Sequence, residues 1–182
     1  MVPEEITDIE LMGRIGRDDR DAFTVLIRRH QHSLVNFFRR MGALHDEAED
    51  LVQDTFLRVY SYRKRYRPTG KFTNFLYVLA RHAWANLGRK ALRTPRADET
   101  AVARTALASR TPLADARMDV QTALEALSEK LRAVVVLNVY QGLKYREIAE
   151  VLEIPLGTVK SRMHLALRQL KELLDVGEEP TE

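Results

Sequence analysis

Apolar residues recur at three- and four-residue steps through nearly every patterned segment of this chain, and residues 94–117 interrupt that period. A helical period on both sides of an unpatterned stretch predicts an all-α protein of two small helical domains joined by a flexible linker. The first stripe runs through Phe23, Leu26, Ile27, His30, Leu34, Phe37, Phe38 and Met41, with Gly42 as a C-terminal stop. Asp46 and Glu49 then form a capping-box-like pair ahead of Ala48, Leu51, Val52, Phe56 and Val59. Arg67-Pro68-Thr69-Gly70 punctuates a loop before a third stripe, Phe72, Phe75, Leu76, Leu79, Ala83 and Leu87.

These patterns predict a first domain over residues 1–93, a linker over 94–117, a second domain over 118–176 and a frayed tail over 177–182. The linker is rich in Ala, Thr, Arg and Asp, with Pro95 and Pro112 as breaks. Its 24 residues could span up to ~80 Å extended, at ~3.3 Å each, and ~25–30 Å as a random coil. At 182 residues the chain is about 1.2 average domain lengths. Lobes of this size bury only roughly 60% of their unfolded surface, so each is marginal alone.

With no cysteine there is no disulfide framework, no thiol chemistry and no cysteine zinc site. Apolar runs such as Ala133 to Leu137 fall far short of the ~20 residues that cross a bilayer. Met1-Val2-Pro3-Glu4-Glu5 lacks the basic and apolar regions of a signal peptide, so the expectation is a soluble intracellular protein.

The net charge of +3 conceals a segregation. Asp46, Glu47, Glu49, Asp50 and Asp54 crowd into nine residues without a base. From Thr55 to Arg93 there are ten bases and no acid, interleaved with Phe56, Tyr60, Tyr62, Tyr66, Phe72, Phe75, Tyr77 and Trp84. Bases neutralise phosphates and aromatic faces stack on unpaired nucleotides. A solvated basic face over an aromatic core is the plainer reading, and the missing acids favour nucleic acid.

In the second block Ser128 can cap a helix carrying Leu131, Val134, Val135, Leu137 and Val139, which Gly142 would end. Tyr145 to Leu152, a break at Glu153-Ile154-Pro155 and a helix from about Leu156 to Leu174 fit a helix-turn-helix. The second helix of that motif enters the major groove. Thr158, Lys160, Ser161, Arg162 and His164 would meet DNA, with no acid from Ile154 to Lys171. Val159, Met163, Ala166, Leu167 and Leu170 would face the core. A helical hairpin with a basic outer face is the alternative.

Tyr145-Arg-Glu-Ile-Ala-Glu-Val-Leu followed by Ile154-Pro-Leu-Gly-Thr-Val-Lys-Ser-Arg162 resembles the C-terminal promoter-reading region of bacterial RNA polymerase sigma factors. The resemblance is to the small extracytoplasmic-function (ECF) group. Asp46-Glu-Ala-Glu-Asp-Leu-Val-Gln-Asp-Thr-Phe-Leu-Arg-Val59 is similar to that group's polymerase-binding region, and Phe72-Thr-Asn-Phe-Leu-Tyr-Val-Leu-Ala-Arg81 to its melting and −10-reading segment. The resemblance implies a sigma region-2 bundle and a sigma region-4 helix-turn-helix domain, working in the bacterial cytoplasm. Expected partners are core RNA polymerase (β′ clamp helices and β flap), promoter DNA, double-stranded at −35 and melted at −10, and an anti-sigma factor.

By this resemblance Glu49, Asp50, Leu51, Gln53, Asp54 and Phe56 contact the clamp helices. Leu51 and Phe56 also suit the core. Lys71, Phe72, Thr73, Asn74, Tyr77, Arg81 and His82 match the −10 positions, and Trp84 fits the core better than a base stack. Thr158, Lys160, Ser161, Arg162, His164 and Arg168 match the −35 positions. Phe75 stands where the family often has Trp, and His82 where it has Asn. Leu165 and Leu167 replace Arg, Glu153 replaces a turn Gly and Lys144 replaces a Ser cap. Glycine accepts a left-handed turn more easily than Glu does, and losing a cap forfeits about 1 kcal/mol.

No cofactor, metal or chemical step is expected. Asp46, Glu47, Glu49 and Asp50 at one helix start are explained by the helix dipole and capping. The five histidines make no His-Glu-x-x-His pattern, and no Gly-rich phosphate loop is present. The rival reading is a conventional dimeric helix-turn-helix regulator acting without polymerase, which leaves the aromatic–basic span unexplained.

Overall fold

The computed structural model describes residues 6–93 and 119–174, in which every regular element is helical. The expected linker and tail lie outside the described residues.

The first helix, α1 (Asp8–Ile15), precedes the first stripe noted above. Thr7 starts it with a capping box: its hydroxyl accepts from Glu10 N at 3.3 Å and its N–H donates to the Glu10 carboxylate at 2.9 Å. Leu11, Met12 and Ile15 are fully buried. Asp8, at the helix start, bonds the buried His30 at 2.8 Å and Arg29 at 2.6 Å, pinning α1 to α2.

Helix α2 (Arg20–Met41) begins at Asp19, whose carboxylate accepts from Ala22 N at 3.0 Å. It ends as expected at Gly42, with φ 104°. There Gly42 N bonds Arg39 O and Ala43 N bonds Phe38 O, satisfying two terminal carbonyls. Helix α3 (His45–Tyr62) starts two residues earlier than a cap at Asp46 would place it. Leu44 occupies the cap position, and Glu47, not Glu49, reaches back to its N–H at 2.9 Å. The Arg63–Lys71 loop is braced by Arg63, which bonds Asp18 at 2.8 Å and lies 3.9 Å over the Tyr60 ring. Helix α4 (Phe72–Arg93) completes the first lobe.

In the second lobe, α5 (Val120–Ala126) leads to α6 (Glu129–Val135), which widens into a π-helical turn, Val136–Tyr140. Ser128 sits at the α6 cap position but its side chain makes no capping bond. Gly142, with φ 69°, ends this segment. Helix α7 (Tyr145–Leu152) and α8 (Leu156–Leu174) form the helix-turn-helix about Glu153 and Pro155. Lys144 supplies no side-chain cap; instead Glu147 accepts its N–H at 2.7 Å.

The two lobes are packed together. Helix α4 lies along α7, while α2 meets α5, α6 and the π-helical turn. Their buried apolar residues form one continuous cluster, so each lobe covers part of the other's hydrophobic face. Arg40 stacks 4.4 Å from the Tyr140 ring and bonds Gln121 at 3.0 Å across this junction. Gln121 in turn donates to Arg39 O at 3.3 Å.

Candidate nucleic-acid and partner interface

Helix α3 presents its acids outward because its apolar stripe faces the bundle. Glu49, Asp50 and Gln53 are exposed, and Asp54 is half-buried in a 2.9 Å pair with Arg58. Leu51 and Phe56 are 6% and 4% exposed and belong to the core, with Phe56 edge-on to Phe23. They hold the helix in place from beneath. Leu57, by contrast, is 65% exposed and shares the outward face with Asp50 and Gln53, three or four residues apart. Its position off the apolar stripe of α3 is the signal in the sequence that marks it.

The start of α4 carries the residues matched to −10 reading, and the second lobe bonds four of them, Lys71, Asn74, Tyr77 and Arg81. Lys71 Nζ lies 2.9 Å from Glu147, and Asn74 Nδ2 donates to Glu150 at 3.0 Å. Tyr77 is buried and its hydroxyl donates to Gln141 at 2.5 Å; burial pushes its phenol pKa up. Arg81 pairs with Glu153 at 2.9 Å and reaches Leu152 O at 3.4 Å. The Lys71 bond holds Glu147 below the usual carboxylate range, and Arg81 does the same to Glu153. His82 is exposed, 3.1 Å from Arg81, and its imidazole is lowered by desolvation and then by Arg81. Thr73 is half-buried.

Phe72 is 3% exposed and packs among His30, Tyr66 and Phe75. The expected interleaving of free aromatic faces with bases is therefore largely absent in this arrangement. Phe56, Phe72 and Tyr77 are core, Tyr60, Tyr66 and Phe75 pack against it, and Tyr62 is the exposed one at 48%. Trp84 is half-buried at the junction and donates to Glu129 at 2.9 Å, so it joins the lobes as much as it fills a core.

On α8 the apolar side is formed by Val159, Met163 and Ala166, all buried, with Leu170 packed against them. Leu167, expected inside, is 52% exposed. Its place falls one residue past Ala166, which rotates it about 100° off the buried line. The opposite side holds Lys160, Ser161, His164 and Arg168 in solvent, with Thr158 and Arg162 half-buried. Ser161 Oγ donates to Thr158 O at 3.1 Å, and Arg168 is 4.0 Å from Glu172. Arg162 also lines a cavity of about 170 Å³ between the lobes, shared with Arg81 and Trp84.

An acidic helical face, a basic helix start and an open helix-turn-helix occur in that order in one chain. Residues 26–94 match the Sigma-70 region 2 family and residues 117–170 the Sigma-70, region 4 family. The protein is thus a sigma-70-type RNA polymerase sigma factor.

Within that class it is 30% identical over 176 residues to the ECF RNA polymerase sigma-E factor of Escherichia coli (strain K12), covering 90% of this chain and 92% of that one. It is 29% identical over 180 residues to the RNA polymerase sigma-H factor of Pseudomonas aeruginosa, covering 92% and 93%. Its fold is similar to CnrH in complex with the cytosolic domain of CnrY, with TM-score 0.72, 26% identity and coverage of 94% and 99%. It is also similar to the sigma factor RpoE from Bartonella quintana in complex with the anti-sigma factor NepR, with TM-score 0.65, 24% identity and coverage of 86% and 98%. The chain belongs to the ECF sigma factors, which bind core polymerase and direct promoter-specific initiation. A conventional dimeric regulator does not account for region 2. Among the described residues no helix is long and apolar enough to cross a membrane.

Proposed function

We propose that this sigma factor divides its work among three surfaces on residues 1–93 and 118–176. Glu49, Asp50, Gln53, Asp54 and the exposed Leu57 face the β′ clamp helices, with Leu51 and Phe56 setting the helix from below. Lys71, Thr73, Asn74, Tyr77, Arg81 and His82 read and hold the melted −10 strand, with Phe72 supporting that helix start from the core. Thr158, Lys160, Ser161, Arg162, His164 and Arg168 read the −35 duplex, while the second lobe also meets the β flap. Joining two weak DNA sites through one linker raises the effective concentration of the second once the first is bound.

The observation that carries this reading is the solvent-facing row Lys160, Ser161, His164 and Arg168, set opposite the buried Val159, Met163 and Ala166. That arrangement leaves a basic helix face free to enter a major groove. The chain acts in the cytoplasm as a non-catalytic polymerase subunit. By analogy with the anti-sigma complex of the Bartonella relative, an anti-sigma factor is its regulator.

The test is reconstituted transcription with bacterial core polymerase on a library of promoter fragments, with start sites sequenced. Core-dependent starts sharing two spaced elements support the reading. A chain carrying Gln53→Ala and Asp54→Ala should lose core binding with an unchanged circular dichroism spectrum. Duplex binding as a dimer, with no starts, would defeat it.

A further inference from the structure

We propose that the cavity between the lobes is a binding site for a small aryl carboxylate, its ring held among apolar side chains and its carboxylate held by Arg162. The cavity encloses about 170 Å³ and draws its lining from α2, α4, α6, the π-helical turn, α7 and α8. Phe37, Met41, Ala133, Leu137, Val151 and Leu152 make most of that lining apolar. The volume is close to the ~150 Å³ that takes up a benzene ring and well below the ~300 Å³ at which pockets for larger ligands begin. A single ring therefore fits, and a nucleotide does not. Phe37 and Trp84 supply aromatic walls, against which another ring packs edge-on or offset.

The charges on the lining favour an anion. Arg81, Lys130 and Arg162 are cations, and Glu129 is the one acid among the lining residues. Two of these four are already engaged: Glu129 accepts the Trp84 indole N–H at 2.9 Å, and Arg81 pairs with Glu153 at 2.9 Å. Arg162 and Lys130 have no hydrogen-bond or ion-pair partner among the described residues. Lys130 is exposed and stays hydrated, whereas Arg162 is half-buried and has given up part of its water without gaining a partner. A guanidinium so placed gains most from a planar carboxylate, which meets its fork with two parallel N–H···O bonds. An anion without an apolar body would satisfy the guanidinium but leave the walls uncovered. Ring and carboxylate are needed together.

Trp84 is the chain's single tryptophan and lines the cavity, so its fluorescence reports occupancy. Titrating the full chain with phenylacetate, without DNA or polymerase, should give a saturable change in Trp84 emission. Free N-acetyltryptophanamide should show only a linear change. Phenylacetamide keeps the ring and removes the charge, and it should bind about tenfold more weakly because a charge-assisted pair is lost. Acetate keeps the charge and removes the ring, and it should give no saturable change. Arg162→Gln should weaken phenylacetate about tenfold and leave phenylacetamide nearly unchanged, a pattern that loss of structure would not produce. Ala133→Leu, which fills the cavity from α6, should abolish binding of both.

A ligand that binds only the folded chain also stabilises it. Saturating phenylacetate should therefore raise the thermal unfolding midpoint of wild type and leave that of Ala133→Leu where it is. No saturable fluorescence change together with an unmoved midpoint would overturn the site. So would equal affinities for phenylacetate and phenylacetamide, or full binding by Ala133→Leu. Both measurements are made without polymerase or promoter, so they judge the site separately from whether the chain initiates transcription.

Discussion

The guanidinium of Arg132, on α6, donates to the carbonyl of Met41, the last residue of α2, at 2.7 Å. Its other amino group donates to Glu125 O at 2.6 Å and Leu127 O at 3.0 Å. One side chain therefore gathers the terminal carbonyls of two helices from different lobes, where the helix dipoles favour a cation. Desolvation lowers its pKa, opposed by Glu125 and Glu129, yet the guanidinium stays charged.

Arg132→Ala should cost about 2–4 kcal/mol, since it strands three carbonyls at the junction. Arg132→Lys should recover only part, because an ammonium lacks the planar fork that spans them. Urea unfolding midpoints check both. Equal stability of wild type and Arg132→Ala would show that the junction does not depend on this contact.

Gly42 sits beneath the same guanidinium. A Cβ there would lie 2.8 Å from Arg132 Nη1, on a backbone with φ 104°. Gly42→Ala should therefore destabilise by about 1–3 kcal/mol. In the double variant with Arg132→Ala the cost should fall below the sum, because the steric part vanishes with the guanidinium. Strict additivity in a double-mutant cycle would refute the clash.

Acid should loosen α1. Burial opposes ionisation of Asp8, but its bonds to His30 and Arg29 outweigh that and hold its carboxyl below the ordinary 3.8. Because the native pKa is the lower one, the stabilisation is present above pH ~4 and lost as pH falls through the native value. Asp8→Asn should cost about 1–3 kcal/mol at neutral pH, with the gap from wild type closing below pH ~4. A gap that persists undiminished at low pH would contradict this.

At Glu153 backbone strain and the Arg81 ion pair can be separated. Glu153→Ala and Glu153→Gly both remove the pair, and only Gly relieves the left-handed residue. The Gly variant should be the more stable of the two by about 1 kcal/mol in thermal or urea unfolding. Matching midpoints would mean the turn carries no such strain.

Leu57→Asp should weaken binding to core polymerase about tenfold or more, as expected for an exposed apolar anchor ringed by polar contacts. Its unfolding midpoint should move by less than about 0.5 kcal/mol, because the side chain is 65% exposed. Binding is read by fluorescence anisotropy of labelled protein. Retained affinity would remove Leu57 from the interface.

Much of the architecture was legible because helices are local objects. Stripes at three- and four-residue steps, together with Gly42, Gly142 and Pro155, mark the bundle helices and the turns between them from residues a few positions apart. The same locality explains the near misses. Asp46 and Glu49 have capping chemistry, but Leu44 and Glu47 hold the real helix start, since a backbone N–H can be served from any cap residue. Leu167 extends the apolar pattern of α8 yet points to solvent, because the direction is set by what α6 and α7 leave uncovered.

From its sequence alone this chain is all-helical, acidic on one helix, basic on the next, and equipped with a helix-turn-helix whose basic residues share a side. Those properties follow from residue spacing and charge order. Tertiary structure alone decided that the lobes meet, with Arg132 on Met41 and α7 on α4, so that Lys71, Asn74, Tyr77 and Arg81 are engaged by partners 64 to 76 residues away. No periodicity encodes such pairings. They depend on which exposed stripes bury the most apolar surface together once both lobes exist, and on which charges then fall face to face.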